Sequence, residues 1–119
     1  MLDPNKKPTR YYSKKQENRT AKILGGDTVP NSGAANFCGG DVKLDNFLIE
    51  CKTLTTEKQS MSIKKDWLEK IKQEAISQRK RFYTLAFDFG SNDNYYIIDE
   101  KTFKYFLDIL NKLEENEDE

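Results

Sequence analysis

Three side chains in the middle of the chain have types and spacing that could do chemistry: Asp41, Glu50 and Lys52. They lie in the stretch Gly40-Asp41-Val42-Lys43-Leu44-Asp45-Asn46-Phe47-Leu48-Ile49-Glu50-Cys51-Lys52. Apolar residues alternate on both sides of Asp45-Asn46: Val42 and Leu44 before, Phe47, Ile49 and Cys51 after. That period marks two strands with one buried face. Asp-Asn is a turn pair, though a weaker one than Asn-Gly or Asp-Gly. A two-residue turn predicts Leu44 opposite Phe47, Lys43 opposite Leu48, Val42 opposite Ile49 and Asp41 opposite Glu50. Val42, Leu44, Phe47 and Ile49 then share an apolar face, and Asp41, Glu50 and Lys52 share the other. Opposed residues have Cβ atoms about 4.5–5.5 Å apart, and like charges there cost stability. A divalent cation would offset that repulsion, with Lys52 assisting. Mg²⁺ takes oxygen ligands, typically one or two carboxylates with waters and a substrate phosphate. The hairpin therefore reads as a metal site for phosphate chemistry. A surface hairpin with scattered charges would carry the same three residue types.

The elements that must position this trio come from a chain of 119 residues, a length that suits one domain spanning 1–119. Its apolar fraction of 36% is enough for one core and not two. The formal net charge is zero, but the charges are segregated. Residues 1–24 hold seven Lys and Arg against Asp3 and Glu17, and residues 114–119 hold five acids. A basic front and an acidic tail are compatible with nucleic-acid binding and equally with plain solvated surface. The absence of histidine removes support for histidine-ligated zinc and for histidine-based nucleophilic triads. Two cysteines, Cys38 and Cys51, make no disulfide framework, and Cys51 falls on the apolar face as a small core residue. No signal peptide or membrane-length apolar run is visible, so no membrane partner is expected and a reducing cytoplasm is the expected setting.

Residues 1–10 are polar, with two prolines, and are expected to be flexible. A helix is predicted over 11–24, with Tyr12, Ala21 and Leu24 sharing a face, Ile23 beside it, and Gly25-Gly26 as the stop. Glu17 lies in this helix, either as a surface charge beside Lys14 or as a third acid near the hairpin. Residues 25–40 are rich in Gly, Asn and Ser and read as a loop. It is a plain connector, or else a functional loop whose Ser32 and backbone N–H groups contact a phosphate. Ser62 is a plausible N-cap for a helix over 63–78, on which Ile63, Trp67, Ile71 and Ala75 recur every four residues. Trp67 is most simply a core anchor rather than a base-stacking residue. Strands are predicted over 82–89 and 95–98 around a turn at 91–94. Asp99 can cap a last helix over 100–113, with Phe103, Phe106, Leu107 and Leu110 on one side. The acidic residues 114–119 are expected to fray. The predicted order is α-β-β-α-β-β-α, an α/β sandwich with a four-stranded mixed sheet.

With these pieces in place the sequence resembles the PD-(D/E)XK nuclease superfamily, and within it small archaeal and phage Holliday-junction resolvase-like proteins. The resemblance is carried by Glu17, Gly25-Gly26, Ser32-Gly33-Ala34, Gly40-Asp41-Val42, Ile49-Glu50-Cys51-Lys52-Thr53 and Ser60-Met61-Ser62-Ile63. The helix bearing Leu68, Lys70, Ile71, Glu74 and Ala75 and the segment Leu85-Ala86-Phe87 continue it, over roughly residues 15–100. Gly40 stands where the motif's name has proline, and neither Gln73 nor Glu74 aligns firmly with the helix residue that some members use. The resemblance implies a restriction-endonuclease-like fold. It implies that Asp41 and Glu50 bind Mg²⁺ or Mn²⁺, with the Cys51 backbone carbonyl as a further ligand and Glu17 completing the site. Lys52 would position or activate the attacking water, or stabilise phosphate charge, and Ser32 would lie near the scissile phosphate.

That set suits phosphodiester hydrolysis, in which water is placed opposite the leaving oxygen and growing negative charge is neutralised. Lys14, Lys15, Arg19, Ser32, Thr53 and Lys58 are the candidates for DNA contact, through a salt-dependent backbone interaction. No base-reading helix is evident, so structure-selective binding is expected, with a four-way junction as the leading substrate. Two symmetric nicks in a junction call for a two-fold homodimer, with Phe82, Tyr83, Phe89, Tyr95 and Tyr96 available for an interface or for the core. The alternatives are a restriction-like or repair nuclease of the same fold and a nucleic-acid-binding module that does not cut. A third is an interaction protein that uses its acidic tail.

Overall fold

The computed structural model describes residues 7–30 and 40–117. Eight elements follow in order: α1 (Thr9–Leu24), β1 (Asp27–Thr28), β2 (Val42–Lys43), β3 (Phe47–Lys52), α2 (Lys65–Ser77), β4 (Phe82–Phe87), β5 (Tyr95–Ile97) and α3 (Glu100–Glu117). The strands form one mixed sheet in the order β1-β2-β3-β4-β5. β3 and β4 are parallel and every other neighbour is antiparallel. A parallel pair needs a crossover, and α2 provides it.

The α/β class is as expected, but the sheet has five strands, not four. The extra strand is β1, only two residues long, within the stretch read as a loop. It pairs Asp27 with Lys43 and Thr28 with Val42. A strand that short has no alternation to detect. α1 begins two residues earlier than expected, behind Pro8, whose φ of −59° suits a helix start. It ends at Gly25 in the left-handed conformation (φ 73°), as the Gly-Gly pair predicted. α2 starts at Lys65 behind Lys64 with no side-chain cap, so Ser62 does not cap it. α3 is capped by Asp99, whose Oδ1 accepts the Thr102 N–H at 2.8 Å. That bond holds the Asp99 carboxyl below the usual range. The acidic tail does not fray at 114, because the helix continues to Glu117.

β3 is covered on both sides, which is why its four inner residues are all buried. Ile49 and Cys51 pack with Ala21, Val42 and Ala86 on the α1 side, with Leu44 and Phe47 against them. Leu48 packs with Ile71 and Ala75 on the α2 side. The inner face of α1 differs from expectation: its buried residues are Gln16, Thr20 and Ala21, while Ile23 and Leu24 are exposed. Polar side chains are inside because backbone carbonyls are there to meet them. Gln16 Nε2 donates to the Lys52 carbonyl at 2.9 Å and to Asn94 Oδ1 at 3.1 Å. Trp67 is half-buried rather than a core anchor. α3 leaves its apolar residues largely in solvent, and Thr102 is its buried residue. No helix among the described residues is long and apolar enough to cross a membrane.

Candidate metal centre

The hairpin register matches the expectation at Val42↔Ile49 and Lys43↔Leu48, and the Leu44 N–H closes the turn on the Phe47 carbonyl at 2.9 Å. At the next step it departs. The Asp41 N–H donates to the Ile49 carbonyl at 2.8 Å, so Asp41 does not simply oppose Glu50. An extra residue of this bulge type re-aims a side chain. The Asp41 carboxylate Oδ2 accepts the Cys51 N–H at 2.8 Å, next to Glu50 in the chain.

Gly40 makes the approach possible. Its φ is +73°, and a Cβ there would sit 2.6 Å from the Leu48 side chain. Proline cannot adopt that φ, and it would lack the N–H that Gly40 donates to Glu74 Oε2 at 2.6 Å. The Gly for Pro departure in the motif thus has a local cause.

Asp41 and Glu50 are both buried, at 8% and 9% exposure. Burial first, and then the neighbouring Asp41 charge, pushes the Glu50 carboxyl up from 4.5 to about 7. Lys52 and Lys70 pull it back part of the way. The Lys52 ammonium lies 3.6 Å from Glu50 Oε1 and stacks over the Trp67 ring, 4.6 Å from its centroid. The structure thus brings Asp41, Glu50 and Lys52 together at the end of β3 on the α2 side. Two hard-oxygen groups that raise each other's proton affinity could hold a divalent cation, with waters filling the remaining positions. No group of three or more His, Cys, Asp or Glu placed to hold a metal is found among the described residues.

Glu17 is on α1, which packs the opposite face of the sheet. It lines a crevice of about 80 Å³ with Arg10, Lys14 and Asn18. Its charge bears on the Cys51 thiol, which burial and then Asp41 push far up, but it is not among the charges that shift Glu50. The acid that does reach the pair is Glu74 on α2, which is held in an ion pair by Lys70 at 3.8 Å. The sequence carries a faint sign of this. Glu74 lies between Ile71 and Ala75 on the helix, so it flanks the buried stripe and points at the rim of the sheet.

Two proposed DNA contacts have other partners. Arg19 bonds Asp88 Oδ2 at 2.9 Å, and the Thr53 hydroxyl also donates to Asp88. Asp88 is 1% exposed and takes a further bond from the Gly90 N–H at 2.8 Å. Its own N–H donates to the Lys52 carbonyl at 3.1 Å, so this cluster fixes the backbone of Lys52. Lys14 borders the Glu17 crevice, Lys15 lies 5.8 Å from the Tyr11 ring centroid, and Lys58 is exposed. Ser32, with Gly33, Ala34 and Cys38, lies outside the described residues.

The fold and site define a small α/β chain with a buried acid pair and a lysine at the end of a central strand. No family model, curated protein or solved structure matches it.

Proposed function

We propose that this chain is a metal-dependent DNA endonuclease that hydrolyses phosphodiesters, with branched DNA such as a four-way junction as its substrate. One observation carries the reading: two buried carboxylates, Asp41 and Glu50, meet beside the Lys52 ammonium, and the pair holds a proton to about pH 7. A fold gains nothing from two buried acids unless something positive joins them. Asp41 and Glu50 would hold Mg²⁺ or Mn²⁺, which would lower the pKa of a bound water and neutralise phosphate charge. The order of motifs that resembles the PD-(D/E)XK nucleases supports the same chemistry. Lys52 presents a point charge to a phosphate oxygen or to the attacking water. Its backbone is fixed from two sides, by Gln16 and Asp88, so that charge is pre-positioned. The Trp67 face beside it limits its swing.

The test uses labelled four-way junction and linear duplex, each with Mg²⁺ or chelator. The expected result is metal-dependent cleavage of the junction by the wild type and none by Asp41→Asn or Glu50→Gln. Equal cutting of both DNAs would point to a restriction-like or repair nuclease. DNA binding with no cleavage in Mg²⁺ or Mn²⁺ would leave a non-cleaving binding module and end the enzyme reading.

A further inference from the structure

α3 is an 18-residue helix, about 27 Å long, and it stands away from the sheet. The molecule measures 64 × 32 × 26 Å, and its radius of gyration is 16.4 Å. A globule of this length has a radius nearer ~13.5 Å. Along α3, Phe103, Phe106, Leu110 and Leu113 recur at alternating steps of three and four, the spacing of a helix–helix seam. Phe103, Leu110 and Leu113 are 54%, 50% and 56% exposed, and Leu107 and Ile109 beside them are 40% exposed. Singly exposed apolar residues are ordinary, but a stripe of this length is not.

Charge identifies what covers it. The tip of α3 carries Glu114, Glu115 and Glu117. Beside the start of α3 is a groove of about 460 Å³ lined by Lys72, Lys80, Arg81 and Lys101, with Asp99 and Tyr105. The start of a helix adds partial positive charge, and the end adds negative. An acidic tip therefore complements the basic groove, yet the two lie at opposite ends of one straight helix and cannot meet within one molecule. A second copy running antiparallel brings them together twice, about a two-fold axis near the middle of α3. Each tip then lies beside the partner's groove, and the two apolar stripes face each other. A parallel pairing would stack acid on acid.

We infer that α3 is a self-association surface, and that two copies of this chain pair through antiparallel α3 helices with each acidic tip seated at the other's Lys72–Arg81–Lys101 groove. An interface of this kind is isologous, the commonest form for a homodimer. The inference stands on α3 alone and does not depend on the nuclease reading.

Sedimentation equilibrium of the full chain tests it. The wild type is expected to be a dimer at micromolar concentration, weakening as salt rises. Leu110→Glu is expected to raise the dimer Kd by about a hundredfold. The residue is half-exposed, so far-UV circular dichroism and the melting temperature should stay unchanged. Lys101→Glu should weaken the dimer, and adding Glu114→Lys with Glu115→Lys to it should restore pairing. A monomeric wild type at a concentration of about 100 µM, or a dimer indifferent to Leu110→Glu, would overturn the proposal. A charge swap that deepens the loss instead of rescuing it would overturn the antiparallel arrangement.

Discussion

Glu50→Gln should make the metal-free protein more stable near pH 8 while removing its catalytic chemistry. In the folded chain, burial and the Asp41 charge raise Glu50 from 4.5 to about 7. The unfolded chain gives up that proton near pH 4.5, whereas the folded chain keeps it to about pH 7. Across that window the folded state binds more protons, so stability falls as pH rises. Below the unfolded pKa the neutral acid adds no penalty. Above the folded pKa the penalty is complete, and a shift of this size corresponds to about 3 kcal/mol. Gln is isosteric and carries no proton to lose, so the variant should lack this slope.

Urea denaturation in chelator at intervals from about pH 4.5 to 8 measures the difference. The wild type is expected to lose about 3 kcal/mol more than Glu50→Gln over that range. Mg²⁺ at a hundred times its Kd should return about 2.7 kcal/mol to the wild type at the upper end, and nothing to the variant. Parallel profiles for the two proteins would show that Glu50 ionises freely beside Asp41, and the argument for an unmet charge at the site would collapse. A Mg²⁺ effect equal in both would place any cation elsewhere.

Other substitutions separate the roles of neighbouring groups. Lys52→Met should slow junction cleavage by at least ~10²-fold while DNA affinity, read by gel shift, changes little, because only one charge near the reacting phosphate is lost. Gly40→Ala should cost about 2 kcal/mol in urea denaturation, since the positive φ is strained for alanine and its Cβ would collide with Leu48. Asp88→Ala should cost about 3 kcal/mol by leaving Arg19 unpaired in a partly buried position, and Arg19→Met in the same chain should recover part of it. Asp41→Asn should keep the bond from the Cys51 N–H and let Glu50 titrate nearer its ordinary value, as read by carboxyl ¹³C NMR shifts. Asp41→Ala should add a stability loss of about 1–3 kcal/mol from the stranded N–H.

The hairpin was legible because alternation and a turn pair determine register locally. Val42, Leu44, Phe47 and Ile49 report their face without knowledge of the rest of the chain. The bulge at Asp41 was not legible. It arises from Gly40 meeting Leu48 and Glu74, residues separated in sequence and joined only by the packing of α2 on the sheet. The same reason hid Glu74 as the acid nearest the pair. The polar lining of α1 escaped a hydrophobic pattern search because Gln16 and Thr20 are buried to meet carbonyls and Asn94, not apolar atoms. On α3 the reading failed differently. Its stripe was correctly placed on one side, but periodicity says only that a face seeks cover, not which molecule covers it.

The acid pair also explains why so much of the surrounding polar chemistry goes to backbone atoms. Two buried carboxylates tend to separate, and a side chain tethered only by a long flexible stem would swing away. Asp41 is instead anchored on the Cys51 N–H, a short lever fixed to the strand that carries Glu50. The Lys52 carbonyl takes donors from both Gln16 and Asp88, so the strand end cannot retreat either. Bonds involving a charged partner contribute about 1.5–3 kcal/mol each, comparable with the penalty at Glu50. The scaffold can therefore hold the two acids in place while neither has a cation, and the repulsion remains stored where an incoming positive charge would relieve it. A site whose geometry depended on the ion would have to rebuild itself at each binding event; this one would need only to exchange a proton.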